Sequence, residues 1–185
     1  MNMGKPRAVQ RHVGLDEYLR DEELSDQRHE YVDGAVFAMT GASNQHNEMI
    51  GSLFAHLKPQ LKSPCRSYMI EVKLRLQQKS ATIFYYPDFI VTCEPRQPKS
   101  HWITAPSLIV EILSPSTERT DRTEKLFAYT QLPSLEAYLL VAQDETRIEA
   151  MLRSDAWSPQ ILGAGQSINL PGLEVVIAVD AIYAI

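Results

Sequence analysis

The feature that most constrains this chain is the run Ser107-Leu-Ile-Val-Glu-Ile-Leu113. It is apolar at nearly every position, so it predicts a strand covered on both faces rather than one alternating between core and water. One acid, Glu111, interrupts it. An ionised carboxylate taken out of water without a partner is expensive, so the run predicts a partner as well as a strand. A second apolar segment, Asp88-Phe-Ile-Val91, opens on Pro87-Asp88 and again puts an acid at a strand end. Ser114-Pro115-Ser116-Thr117 then breaks the first strand and starts a helix bearing Asp121 and Lys125, with Thr117 as a candidate cap. Two carboxylates on neighbouring strands, with a lysine arriving from the next helix, are the right groups to hold a divalent cation and a water.

The rest of the chain reads as strands with two substantial helices. Leu15 to Leu24 predicts a short charged helix. Glu30 to Met39 carries Asp33-Gly34 between apolar arms, a hairpin signal because both central residues of a type I′ turn need positive φ. Ser43 or Asn44 caps a helix reaching toward Lys62, with Ile50, Leu53, Leu57 and Leu61 on its core face, His46 on the same stripe, and Pro59 placed to kink or shorten it. Tyr68–Leu76 and Ala81–Tyr86 predict a strand pair. Leu135–Ala142 and Thr146–Leu152 predict another, and short strands and a helical turn finish the chain. This order favours an α/β or α+β domain with a mixed, curved sheet flanked by helices.

At 185 residues, 44% of them apolar, the chain suits one domain over 15–185, with residues 1–14 as a flexible arm carrying Lys5, Arg7, Arg11 and His12. No uninterrupted apolar run is long enough to span a membrane. The formal charge of −5 counts against a nonspecific nucleic-acid binder, though not against a nuclease, because a bound metal changes the local field. Cys65 and Cys93 match no zinc or disulfide spacing, so a cytoplasmic chain with reduced thiols is expected.

Several motifs together resemble the Uma2 family (DUF820) of the PD-(D/E)XK restriction-endonuclease-like superfamily. They are Glu30-Tyr-Val-Asp-Gly34, Met39-Thr-Gly-Ala-Ser43 with His46, Pro87-Asp88, Pro106 to Thr117, Asp121-Arg122, Lys125, Tyr129, and Leu135-Glu-Ala-Tyr-Leu139. The resemblance implies a restriction-endonuclease-like core and a Mg²⁺- or Mn²⁺-dependent DNA endonuclease. Asp88 and Glu111 would be the metal ligands, Glu30 an accessory acid, and Lys125 the catalytic lysine. Read from the residues, His46 and Ser114 are candidate auxiliaries, against a structural histidine on an apolar stripe and a plain strand-to-helix turn. By analogy with related nucleases that pair two sites for two strands, it also implies a homodimer. The superfamily's Glu-X-Lys is absent, because Leu113 stands at the lysine position. Lys125 fits a lysine moved to the following helix. The departure leaves open a catalytically weak scaffold acting as a binding or regulatory module. Glu71-Val-Lys73 matches Glu-X-Lys literally but precedes Pro87-Asp88, and reads as an ordinary half-exposed strand. The bland alternatives are an exposed Asp121–Lys125 pair, Glu30 paired with Arg28 or Arg119, and Tyr129 as packing.

Overall fold

The computed structural model describes residues 12–185. The basic residues Lys5, Arg7 and Arg11 lie outside them. His12 and Val13 run along the first hairpin, where the Val13 amide donates to the Gly34 carbonyl at 2.9 Å. The class is mixed α+β, and the strands divide among three sheets. A five-stranded sheet has the order β2-β1-β5-β4-β7, built from β1 (His29–Val32), β2 (Ala35–Ala38), β4 (Lys73–Gln78), β5 (Ala81–Tyr85) and β7 (Trp102–Ile103). A six-stranded sheet has the order β11-β10-β9-β8-β6-β3. Its members are β3 (Arg66–Met69), β6 (Phe89–Thr92), β8 (Pro106–Ile112), β9 (Ala137–Val141), β10 (Ile148–Leu152) and β11 (Pro159–Leu162). The third sheet pairs β12 (Ser167–Leu170) with β13 (Val175–Ala178).

Local chemistry explains most of these elements. Asp33 and Gly34 have φ of 45° and 94°, the two positive values a type I′ turn needs, and they join β1 to β2. Helix α1 (Leu15–Leu24) buries only Tyr18 and Glu22, one turn apart. Helix α2 (Asn44–Leu57) starts at Ser43, whose hydroxyl accepts the His46 amide at 3.1 Å. It ends at Leu57, two residues before Pro59, because the ring would clash with the preceding turn. Met49, Ile50, Leu53 and Leu57 are fully buried, each contributing about 1.5–3 kcal/mol of apolar burial. They cover one face of the six-stranded sheet through Phe89, Val91, Leu108, Val110 and Ile112.

The opposite face of that sheet, through Ile90, Ile109, Tyr138 and Leu140, packs on Leu74, Leu76, Ile83 and Tyr85 of the five-stranded sheet. All seven residues of β8 are buried, as a strand covered on both sides requires. The site lies in this layer between the sheets.

Four expectations need correction. The segment 68–76 is not one strand: Ile70 has φ of 56°, which breaks it and sends β3 and β4 to different sheets. Thr117 flanks the next helix but does not cap it; its hydroxyl lies 3.0 Å from that of Ser114. That helix, over 118–130, is α-helical at Glu118–Thr120, π-helical at Asp121–Lys125 and α-helical again at Leu126–Thr130. Lys73, at the start of β4, is buried rather than half exposed, and its ammonium sits 5.7 Å from the centroid of the Tyr18 ring. Finally, Cys65 and Cys93 form a disulfide instead of remaining reduced. Arg66 pairs with Thr92 in the β3–β6 register, so the flanking cysteines face one another.

Candidate active site

Asp88 and Glu111 come together because of strand register. Phe89 pairs with Val110 on antiparallel β6 and β8, so Asp88 and Glu111 form the next pair. The Asp88 amide lies 3.4 Å from Glu111 Oε2. Glu111 shares its face with Ile109, and therefore points between the sheets. Its other oxygen, Oε1, accepts from Lys125 Nζ and from the Tyr129 hydroxyl, each at 3.1 Å.

Lys125 comes from the 118–130 helix, on one stripe with Asp121 and Tyr129. Its ammonium is also 3.2 Å from Glu30 Oε1 and 3.1 Å from Asp121 Oδ1. Only the Glu111 contact is aligned as a hydrogen bond. Among the described residues Asp121 Oδ1 is buried without a hydrogen-bond donor and is compensated by the Lys125 charge. The Tyr85 ring lies 5.5 Å from Nζ and closes one side. The Asp121–Lys125 pair is therefore real, but it is buried within a cluster rather than a solvated i,i+4 bridge. Glu30 meets Lys125, while Arg28 pairs with Glu71 and Arg119 with Glu124.

Asp88 is held from two other directions. The Ile112 amide donates to Oδ2 at 2.7 Å, and His46 Nε2 lies 3.1 Å from the same oxygen. An ionised carboxylate only accepts, so these partners assign the proton to His46 Nε2. His46 Nδ1 is then left buried with no partner among the described residues. Ser114 sits apart: its hydroxyl bonds those of Ser116 and Thr117, each at 3.0 Å, within the strand-to-helix turn.

Charge in the cluster is unbalanced. Glu30, Asp88, Glu111 and Asp121 surround one lysine and one histidine. Burial pushes the Glu111 carboxyl well up; Lys125 opposes this, and Asp121, Asp88 and Glu30 add to it. Burial pulls Lys125 down, but Glu111, Glu30, Tyr129 and Asp121 together outweigh it and hold the ammonium well above its ordinary value. Burial, then Glu30, lifts the Tyr85 hydroxyl to about 12. Each of these groups is therefore held toward its protonated form.

A divalent cation fits this donor set. Asp88 Oδ1 accepts no hydrogen bond among the described residues, and Glu111 Oε2 has only the long contact from the Asp88 amide. Among the described residues no three acids, histidines or cysteines form a ligand cage. Two carboxylates without a cage suit Mg²⁺, which keeps several waters and takes substrate oxygens. Access comes through Asp88 and Glu30, whose side chains are 16% and 17% exposed, whereas Glu111 and Lys125 are closed off at 4% and 5%. A concavity of about 260 Å³ lined by Arg66, Tyr68, Glu71, His101 and Trp102 lies away from these acids.

Residues 15–180 match the model of the Uma2 family, described as "Putative restriction endonuclease". The chain belongs to the Uma2 family. It is 36% identical over 175 residues to uncharacterized protein slr1290 of Synechocystis sp., covering 91% of this chain and 90% of that one. It is 35% identical over 139 residues to uncharacterized protein sll1609 of the same organism, covering 72% and 76%. Its fold is similar to that of a crystal structure described as "a putative nuclease belonging to DUF820 from Anabaena variabilis". The TM-score is 0.70 at 18% identity, over 93% of this chain and 98% of that one. The Uma2 chain thus has a nuclease-like fold. Among its described residues no helix is long and apolar enough to cross a membrane.

Two members of the cluster have roles that the sequence reading did not give them. Tyr129 hydrogen-bonds Glu111 instead of merely packing, and Asp121 is a buried third acid on the lysine. The signal was present: Asp121, Lys125 and Tyr129 share a stripe that should be apolar on a core-facing helix.

Proposed function

We propose that this Uma2 protein is a divalent-metal-dependent endonuclease that hydrolyses DNA phosphodiester bonds. The carrying observation is that the β6–β8 register brings Asp88 beside Glu111, with the Asp88 amide 3.4 Å from Glu111 Oε2 and Asp88 Oδ1 accepting no hydrogen bond among the described residues. These two carboxylates would hold Mg²⁺ or Mn²⁺, which when bound supplies charge neutralisation and a nucleophilic water at neutral pH. His46 and the Ile112 amide orient Asp88 by fixing Oδ2, which leaves Oδ1 for the cation. Tyr129 and Lys125 hold Glu111 by Oε1, which leaves Oε2. Lys125, held beside Glu111, would place a positive charge next to the metal ligands, where negative charge develops during hydrolysis. Glu30 keeps the ammonium turned toward the pocket.

Plasmid nicking with purified protein tests this. Wild type should nick in Mn²⁺ and not in EDTA. Glu111→Gln and Asp88→Asn should lose nicking, and Lys125→Met should lose roughly a hundredfold or more. Undiminished nicking by Glu111→Gln would refute the assignment.

A second reading has two observations in its favour. Leu113 replaces the usual lysine, and the substitute lysine is engaged with acids, which suits a scaffold that binds metal and DNA without cutting. Calorimetric Mn²⁺ binding with no cleavage of single-stranded, duplex or branched DNA would select it.

A further inference from the structure

Helix α1 spends one of its two buried positions on an acid. Glu22 is only 3% exposed, although it lies outside the Asp88–Glu111 cluster. Its Oε1 accepts from the Tyr86 hydroxyl at 2.7 Å and from the His29 amide at 2.9 Å, and its Oε2 lies 3.0 Å from His29 Nδ1. Tyr18, one turn earlier, donates its hydroxyl to the His29 carbonyl at 2.7 Å and stacks on Tyr31 at 4.8 Å. Every backbone hydrogen-bonding group of His29 facing α1 is therefore held by two side chains of that helix.

Strand alternation shows what this grip controls. His29 and Tyr31 face α1, so Glu30 between them faces the other way, toward Lys125. Phe84 packs with Tyr18 and Tyr31, and Tyr86 reaches Glu22, so Tyr85 between them faces Lys125. β1 and β5 are neighbours, with Tyr31 opposite Phe84. Two residues after Tyr86 the chain reaches Asp88. One buried carboxylate behind the sheet thus ties together the strand that presents Glu30 and the segment that presents Asp88. A buried acid is poor value as bulk stabilisation, since an apolar side chain of similar size does as well or better.

We infer that Glu22 is a positioning residue for the metal site: its bonds to His29 and Tyr86 fix the spacing of Glu30 and Asp88 from behind the sheet. This role presupposes the metal-binding reading of Asp88, and the two fail in different ways.

The test is Mn²⁺ titration calorimetry on the full chain, run where thermal melts show each variant folded. The set is wild type, Asp88→Asn, Glu22→Ala, Glu22→Gln, Tyr86→Phe and the exposed neighbour Glu23→Ala. Supporting partners of metal ligands typically carry 10–100-fold in affinity. Glu22→Ala should weaken Mn²⁺ binding by about tenfold, at the low end of that range because it acts through the backbone. Glu22→Gln and Tyr86→Phe keep the volume and part of the bonding, so they should fall between it and wild type, while Glu23→Ala should match wild type. Wild-type affinity in Glu22→Gln, Tyr86→Phe and any folded Glu22→Ala, with Asp88→Asn abolishing binding, overturns the positioning role and leaves the metal site standing. No Mn²⁺ binding by wild type overturns both.

Discussion

Replacing Lys125 by methionine removes a charge while keeping an unbranched chain of similar length. The ammonium is 5% exposed and stands 3.1–3.2 Å from Glu30, Glu111 and Asp121. Without it the three acids must take up at least one more proton on folding. Protonating a carboxyl whose unfolded pKa is about 4.3 takes roughly 2.7 units at pH 7, or about 4 kcal/mol, and only about 1 kcal/mol at pH 5. Breaking one side of a buried ion pair typically destabilises by about 3–5 kcal/mol, which agrees with the higher figure. The sign follows from the direction of the shift. A carboxyl whose folded pKa lies above its unfolded one contributes stability fully present at low pH, and lost as pH rises through the folded value. Urea unfolding of wild type and Lys125→Met at pH 5, 6, 7 and 8 should therefore show a gap that widens with pH. Mn²⁺ at a hundred times its dissociation constant should restore about 2.7 kcal/mol at pH 7. A gap below about 1 kcal/mol at pH 7, flat across the series, would refute the argument. Loss of activity in this variant must accordingly be read at a pH where it is folded.

Other parts of the molecule give further expectations. Reducing Cys65–Cys93, which are 28 residues apart, should lower stability by about 3–4 kcal/mol on loop-closure grounds, read as a drop in urea midpoint with dithiothreitol. Ser43→Ala should destabilise by about 1 kcal/mol in the same assay, since the His46 amide loses its acceptor. Glu149 has its pKa lowered chiefly by the Arg122 hydrogen bond, so it contributes stability present above its unfolded value and lost as pH falls through the folded one. Arg122→Met should consequently flatten the acid limb of the stability profile below about pH 4.5. Tyr129→Phe should fold and bind Mn²⁺, but with a shifted pH dependence, because Glu111 loses one of the two donors that fix Oε1.

What the sequence disclosed about this chain follows from which signals are local. β8 was legible because a strand covered on both faces must be apolar throughout, and Glu111 stood out because nothing in packing calls for an acid there. The type I′ turn at Asp33-Gly34 was legible because only a few residue types accept its backbone. The break at Ile70 was not: a β-branched residue gives no warning of positive φ. The Cys65–Cys93 bridge depends on the pairing of β3 with β6, which spacing alone does not encode. Glu22 looked like one more charge on a surface helix, because its partners lie 7 and 64 residues away. Asp121 and Tyr129 were visible as a stripe, yet an i,i+4 pair reads the same on paper whether it is solvated or buried.

Metal-dependent hydrolysis here requires one cation bound between two strands. A crystal soaked in Mn²⁺ and measured at the manganese absorption edge tests that directly. An anomalous peak within about 2.0–2.3 Å of both an Asp88 and a Glu111 carboxylate oxygen is the predicted result, near the usual hard-cation distance. A fully soaked crystal with no peak there, or with its peak at other residues, would contradict it.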